Sequence, residues 1–170
     1  MGNFLSIQNI QPQVGQQCWF APNSYVIGDV EMGDQCTVWF NAVVRGDVNS
    51  IRIGNKVNIQ DQAVIHCTYK KYDVVIGDNV SIGHGAIVHG CHIEDNVLIG
   101  MGAIVMDGVR VEEGAVVAAG AVVLAGTIVE KGTIYAGVPA KKVKDGGDNM
   151  KELIERTANN YPMYASWFKE

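Results

Sequence analysis

A period of six residues runs through the chain from Ile76 onward, and few folds can accommodate it. The segments read IGDNVS, IGHGAI, a shortened VHGCH, then IEDNVL, IGMGAI, VMDGVR, VEEGAV, VAAGAV, VLAGTI, VEKGTI and YAGVPA. An aliphatic residue opens almost every unit (Ile76, Ile82, Val88, Ile93, Ile99, Val105, Val111, Val117, Val123, Val129). A small residue or valine recurs four places later, as at Val80, Ala86, Val97 and Ala103. An α-helix would want apolar spacings of three and four, and interior glycines would cost it about 1 kcal/mol each. Hairpin sheets want turn signals roughly every 8–12 residues. A coil of three short strands, bent after each, satisfies the pattern. The opening aliphatics then stack inside, rung upon rung, and glycine supplies positive φ where corners are tight.

The pattern extends backwards, less cleanly, through Ile65, Ile59, Ile53, Val44, Val38, Met32 and Ile27, so that repeats cover about residues 23 to 140. The step from Ile65 to Ile76 is eleven residues, which places an outward loop around Thr68 to Asp73. The nine-residue step from Val44 to Ile53 implies a smaller insertion. We read an all-β solenoid, a parallel β-helix of hexapeptide repeats with an N-terminal cap over residues 1–145, followed by a C-terminal helical appendage over 146–170. Gly146-Gly147 marks the hinge. Asn149 and Glu152 have capping-box spacing, and Met150, Leu153, Ile154, Thr157, Ala158 and Tyr161 follow at helical intervals. Pro162 should kink or end that helix, with Tyr164, Trp167 and Phe168 anchoring it to the coil.

A chain of 170 residues, 48% apolar, can bury one core. Thirteen basic against 18 acidic residues give a formal charge of −5, which argues against nucleic acid or an anionic membrane as partner. Met1 to Gln8 shows neither a basic start nor an apolar segment of the secretory kind, and no apolar run is long enough to cross a membrane. The expected location is cytoplasmic. Cys18, Cys36, Cys67 and Cys91 form no CxxC pair, and in a reducing compartment they read as small buried hydrophobes.

With three units per coil, Ile65, Ile76 and Ile82 begin the three faces, and Val88 returns to the face of Ile65. His66 and His89 then share one position on one face, one coil apart, where strands sit about 4.8 Å from each other. Arg45 falls on the same face a coil earlier. His84 lies on the preceding face above Asp61, which follows Gln60. Three imidazoles with a fourth position open is a catalytic zinc arrangement. One chain does not bring His84 beside the other two, but a three-fold homotrimer would if each His84 met a neighbour's His66 and His89. The alternative is that these are solvated surface histidines. His92, in the shortened turn, reads as structural or solvated.

The segments VVRGDVNSIRIG (43–54), NIQDQAVIH (58–66) and IGHGAIVHGC (82–91) resemble the γ-class carbonic anhydrase family and its shorter, loop-trimmed homologues. The resemblance implies a left-handed coil. It also implies a zinc, iron(II) or cobalt(II) ion held at trimer interfaces by His66 and His89 of one chain and His84 of the next. CO2 would be hydrated to bicarbonate by a water that the ion acidifies. Gln60 would orient that water with Asn58 nearby, Arg45 and Asp47 would form an interface ion pair, and Asp61 would support the ligands. Tyr161 sits where related proteins place a tyrosine towards the metal, although a core-packing role competes. One departure concerns the loop. Active members carry a proton-shuttling glutamate there, whereas this chain reads Thr68-Tyr69-Lys70-Lys71-Tyr72-Asp73.

Two other functions compete. Many hexapeptide-repeat proteins are acyl-CoA-dependent transferases, and the ending AGVPAKKV (136–143) is common among them. A non-catalytic metal-binding trimer is the other, favoured by the missing glutamate.

Overall fold

The residues that open the hexapeptides point inward. Ile65, Ile82, Val88, Ile99, Val105, Val111, Val117, Val123 and Val129 are all fully buried, as are Ala86, Ala103, Ala115 and Ala121 four places into their units. Burying one such aliphatic side chain is worth roughly 1.5–3 kcal/mol. Stacked rung on rung, these side chains make one continuous core.

The computed structural model describes residues 2–168. It is a parallel β-solenoid of about seven turns, followed by one α-helix, Asp148–Ser166. Three registers define its faces. On the first, Val44, Ile65, Val88, Val105 and Val123 stack in order. On the second the stack is Ile53, Ile76, Ile93, Val111 and Val129. On the third it is Val38, Ile59, Ile82, Ile99 and Val117. The long strand Val43–Ile53 turns the corner between the first two faces and belongs to both. Its extra residues, 47–50, lie opposite Asp29 alone, where the register shifts. The longer insertion forms a closed loop in which Thr68 and Tyr72 pair as an antiparallel bridge.

The outward positions of the three faces differ in character. The third face is covered: Leu98, Val116 and Ile134 pack against Met150 and Ile154 of the helix. The second presents Glu31, Arg52, Val75, His92, Arg110 and Ile128 in one register row, a mixture of charged and apolar side chains. The first presents Tyr25, Val43, Val64, Ile87, Ile104 and Val122, an apolar row that, among the described residues, no helix covers. Tyr25 and Ile87 are 40% and 39% exposed.

The helix departs from expectation at both ends. Its N-cap is Gly147 in extended conformation with no side-chain cap, and Asn149 already lies in the first turn, so no capping box forms. Pro162 lies inside the helix rather than ending it. Interior proline costs about 3 kcal/mol, and packing beyond it offsets that cost. Ala165 is buried, and the Phe168 ring sits 5.3–6.0 Å from those of Trp19, Phe40 and Trp39. Trp167 is no anchor to the coil: it is 70% exposed and stacks on Tyr164. Among the described residues, no helix is long and apolar enough to cross a membrane.

Candidate metal centre

Parallel stacking lines up the histidines. His66 and His89 are register partners at the ends of adjacent strands, and Arg45 occupies the same place one rung before His66. His66 Nδ1 faces His89 Nε2 at 3.1 Å. The other nitrogen of each ring meets a carboxylate. His66 Nε2 lies 3.0 Å from Asp47 Oδ1, and His89 Nδ1 lies 2.6 Å from Asp107 Oδ1.

Each carboxylate is itself braced through its second oxygen. Asp47 Oδ2 pairs with the Arg45 guanidinium, and Asp107 Oδ2 accepts from Thr68 Oγ1 at 2.7 Å. Burial works to raise the Asp47 carboxyl, but donation from Arg45 and His66 outweighs it and holds the group below the usual carboxylate range. Burial likewise opposes ionisation of Asp107, and donation from His89 and Thr68 more than offsets it. Burial pushes the His66 imidazole down despite the Asp47 carboxylate beside it.

These charges fix the tautomers. Ionised Asp47 and Asp107 can only accept, so His66 Nε2 and His89 Nδ1 carry the protons. In neutral rings the two nitrogens facing each other are then both lone-pair acceptors. Such a pair repels unless a proton or a cation lies between. Two imidazole nitrogens bound at about 2.0–2.1 Å to one tetrahedral ion stand roughly 3.3 Å apart. The 3.1 Å separation fits that geometry.

His84 stands at the other end of the first face, on the corner just before the strand Ile87–His89. Its Nδ1 lies 2.7 Å from Asp61 Oδ2, and Asp61 Oδ1 accepts the Phe40 backbone N–H at 3.2 Å. Its Nε2 faces the Tyr161 hydroxyl at 3.4 Å. The His84 backbone N–H donates to Gln60 Oε1 at 3.2 Å. Gln60 Nε2 donates to Asn58 Oδ1 at 3.0 Å, and Asn58 Nδ2 to Ser81 Oγ at 2.7 Å. Gln60 and Asn58 are buried, so this amide ladder is fixed in orientation. Tyr161 packs edge-on against Trp39 as well, with ring centroids 5.3 Å apart. Burial, helped by the nearby Asp61 charge, pushes its phenol up to about 12, so it is protonated at neutral pH. A cleft of about 380 Å³ runs from His84, Gln60 and Tyr161 past Gly100, Ala118 and Ala119.

Thus the structure joins His66, His89, Asp47 and Arg45 in one cluster and His84, Asp61, Gln60, Asn58 and Tyr161 in another. Among the described residues, no three histidine, cysteine or acidic side chains of one chain form a metal-holding group. His92 stands apart, 56% exposed and 2.9 Å from Asp73. Three residues escaped the sequence reading: Asp107, Thr68 and Ser81. Asp107 was within reach of the register argument. It follows Met106 one rung above the pair His89–Gly90, and its Oδ1 fills the space a Cβ on Gly90 would take.

Comparison with known proteins places the chain in a family. The "Bacterial transferase hexapeptide (six repeats)" family matches residues 11–46 and 90–125, and "Hexapeptide repeat of succinyl-transferase" matches 73–105. The "Probable carbonic anhydrase" of Methanocaldococcus jannaschii is 51% identical over 141 residues, covering 83% of this chain and 88% of its own length. "Gamma carbonic anhydrase 1, mitochondrial" of Arabidopsis thaliana is 41% identical over 155 residues, or 88% of this chain; the chain spans only 56% of that relative's length. Among solved structures, a hexapeptide transferase family protein from Anaplasma phagocytophilum superposes with a TM-score of 0.93, at 36% identity and 98% coverage of each chain. By sequence and fold together, the chain belongs to the γ-class carbonic anhydrase family.

Proposed function

We propose that this protein is a metal-dependent carbonic anhydrase, interconverting CO2 and bicarbonate at sites shared between the subunits of a cytoplasmic homotrimer. One observation carries the reading. His66 Nδ1 and His89 Nε2 face each other at 3.1 Å with their lone pairs inward, each ring held in that tautomer by an aspartate. A divalent cation satisfies both. Three imidazoles suit zinc, cobalt(II) and iron(II) alike.

The third ligand in this reading is His84 of a neighbouring subunit. His84 and the His66–His89 pair flank the first face, and the uncovered apolar row lies on that same face. Head-to-tail contact through this face would bring one chain's His84 to its neighbour's pair, and three such contacts close a ring. The ion, when bound, supplies an acidified water as nucleophile at neutral pH. The chain's own residues do the rest. Asp47, Asp107 and Asp61 hold the three rings in orientation. Gln60, pinned between Asn58 and His84, orients the nucleophile, and the protonated Tyr161 hydroxyl lines the approach beside it. Arg45 keeps Asp47 charged and in place. The Thr68–Asp73 loop offers no glutamate to carry protons away, so turnover is limited by proton export.

Metal analysis of the purified protein, paired with stopped-flow CO2 hydration, tests this. The expected result is about one metal per chain with measurable hydration, both lost in His89→Ala. No metal in either aerobic or anaerobic preparations would overturn the reading. Stoichiometric metal with no hydration at any pH would point instead to a non-catalytic metal-binding trimer. The likeness to the hexapeptide transferase family protein from Anaplasma phagocytophilum favours acyl transfer as a second reading, and acyl-CoA binding by a metal-free preparation would move the assignment there.

A further inference from the structure

We propose that the inserted loop Thr68–Tyr72 is an orienting clamp on His89, acting through the Thr68 hydroxyl and the Asp107 carboxylate; the inference rests on the metal reading above. A carboxylate that holds a histidine through one oxygen is free to swing about its own bond. Each of the three aspartates here is denied that freedom by a partner on its second oxygen. For Asp47 the brace is Arg45, and for Asp61 it is the Phe40 backbone N–H. For Asp107 it is Thr68 Oγ1 at 2.7 Å, and only this brace comes from the insertion in the hexapeptide pattern.

The loop is built to hold that hydroxyl still. The Thr68 N–H donates to the Tyr72 carbonyl at 3.0 Å, and the Tyr72 N–H returns to the Thr68 carbonyl at 3.3 Å. Asn49 Nδ2 adds a donor to the same Thr68 carbonyl at 3.4 Å. Tyr72 lies over Gly90 and Gly108, the residues following His89 and Asp107, and side chains at either position would crowd it. The loop is therefore seated on the backbone that carries the ligand and on the backbone that carries its aspartate. Thr68 and Asp107 are positioning residues: they touch the ligand or its brace and leave the reacting atoms to others. The segment that carries a proton shuttle in the resemblance serves ligand geometry in this chain.

The test measures cobalt(II) affinity by competition with a chromophoric chelator, together with the visible spectrum of the bound ion. Thr68→Val should weaken cobalt binding about 10-fold, and Asp107→Ala about 10–100-fold, the range for loss of such supporting contacts. Both should alter the cobalt spectrum, which a purely structural loss would leave unchanged. Thr68→Ser, which restores the hydroxyl, should return affinity and spectrum to wild type, with the metal-free melting temperature equal to that of Thr68→Val. If Asp107→Ala fails to fold, the Thr68 pair decides alone. Wild-type affinity and spectrum in Thr68→Val overturn the clamp while leaving the metal site standing. A wild-type protein that takes up no cobalt overturns the metal reading and the clamp with it.

Discussion

Cys67 follows His66 directly, and Cys91 lies two residues after His89, yet both thiols face the core and neither joins the site. Burial pushes Cys67 up to about 12 and raises Cys91 as well, so both stay protonated and unreactive. Cys18 is different: it is only half-buried, and the neighbouring Cys36 lowers its thiol below the ordinary cysteine range. A thiolate is the reactive form, and its population grows as pH rises through the pKa. Labelling of the native protein by a disulfide reagent should therefore modify Cys18 first, at a rate that climbs with pH and levels off at lower pH than that of an ordinary free thiol. Cys67 and Cys91 should react only on unfolding. Mass spectrometry after partial labelling checks this, and early modification of Cys67 would contradict the buried assignment. The same scale shows what the sequence could and could not disclose. Alignment of His66, His89 and Arg45 was legible because register in a six-residue coil is arithmetic. Thr68 and Ser81 were not, since their roles depend on where a hydroxyl points and on how an insertion folds back.

At the level of elements, the turns divide the glycines into two kinds that the hexapeptide pattern does not separate. Gly102 has a φ of +66° and open space where a Cβ would project. Gly100, two residues earlier, has no positive φ, but a Cβ there would collide with the Ala119 backbone of the next rung. Gly102→Ala should cost about 1–2 kcal/mol, the strain of a left-handed conformation. Gly100→Ala should cost more, because backbone cannot step aside as a side chain can, and overpacking alone runs about 1–3 kcal/mol. Urea unfolding of the two variants gives the comparison, and equal losses would remove the distinction. The same chemistry explains which elements were readable. Period and inward aliphatics specify the strands without help from afar. Helix ends do not follow from local signals: Asn149 and Glu152 have capping spacing, but the chain already enters the helix at Gly147. The last turn persists past Pro162 because residues far away in sequence, Trp19 and Trp39 among them, pack against Phe168.

For the molecule as a whole, the coil's three faces meet three different needs. The helix covers one, a second mixes charged and apolar side chains, and the first is left with an apolar row. Isolated apolar residues on a surface are ordinary, but a contiguous row is the mark of an interaction site. The row is flanked by His84 on one side and the His66–His89 pair on the other, so under the proposed function assembly and metal binding would be one event. An aspartate in the middle of the row should then separate folding from assembly. Ile87 is 39% exposed and its neighbours Val64 and Ile104 are half-buried, so Ile87→Asp removes little from the core of the single chain. In sedimentation, the wild type should run at about 55 kDa, three times the 18.4 kDa chain, and the variant as a folded monomer. The monomer should keep the circular dichroism of the solenoid but lose tight metal binding, since two imidazoles remain where three are needed. A variant that stays trimeric would move the interface to another face. A monomeric variant with undiminished metal affinity would show that His66 and His89 suffice without a neighbour's His84.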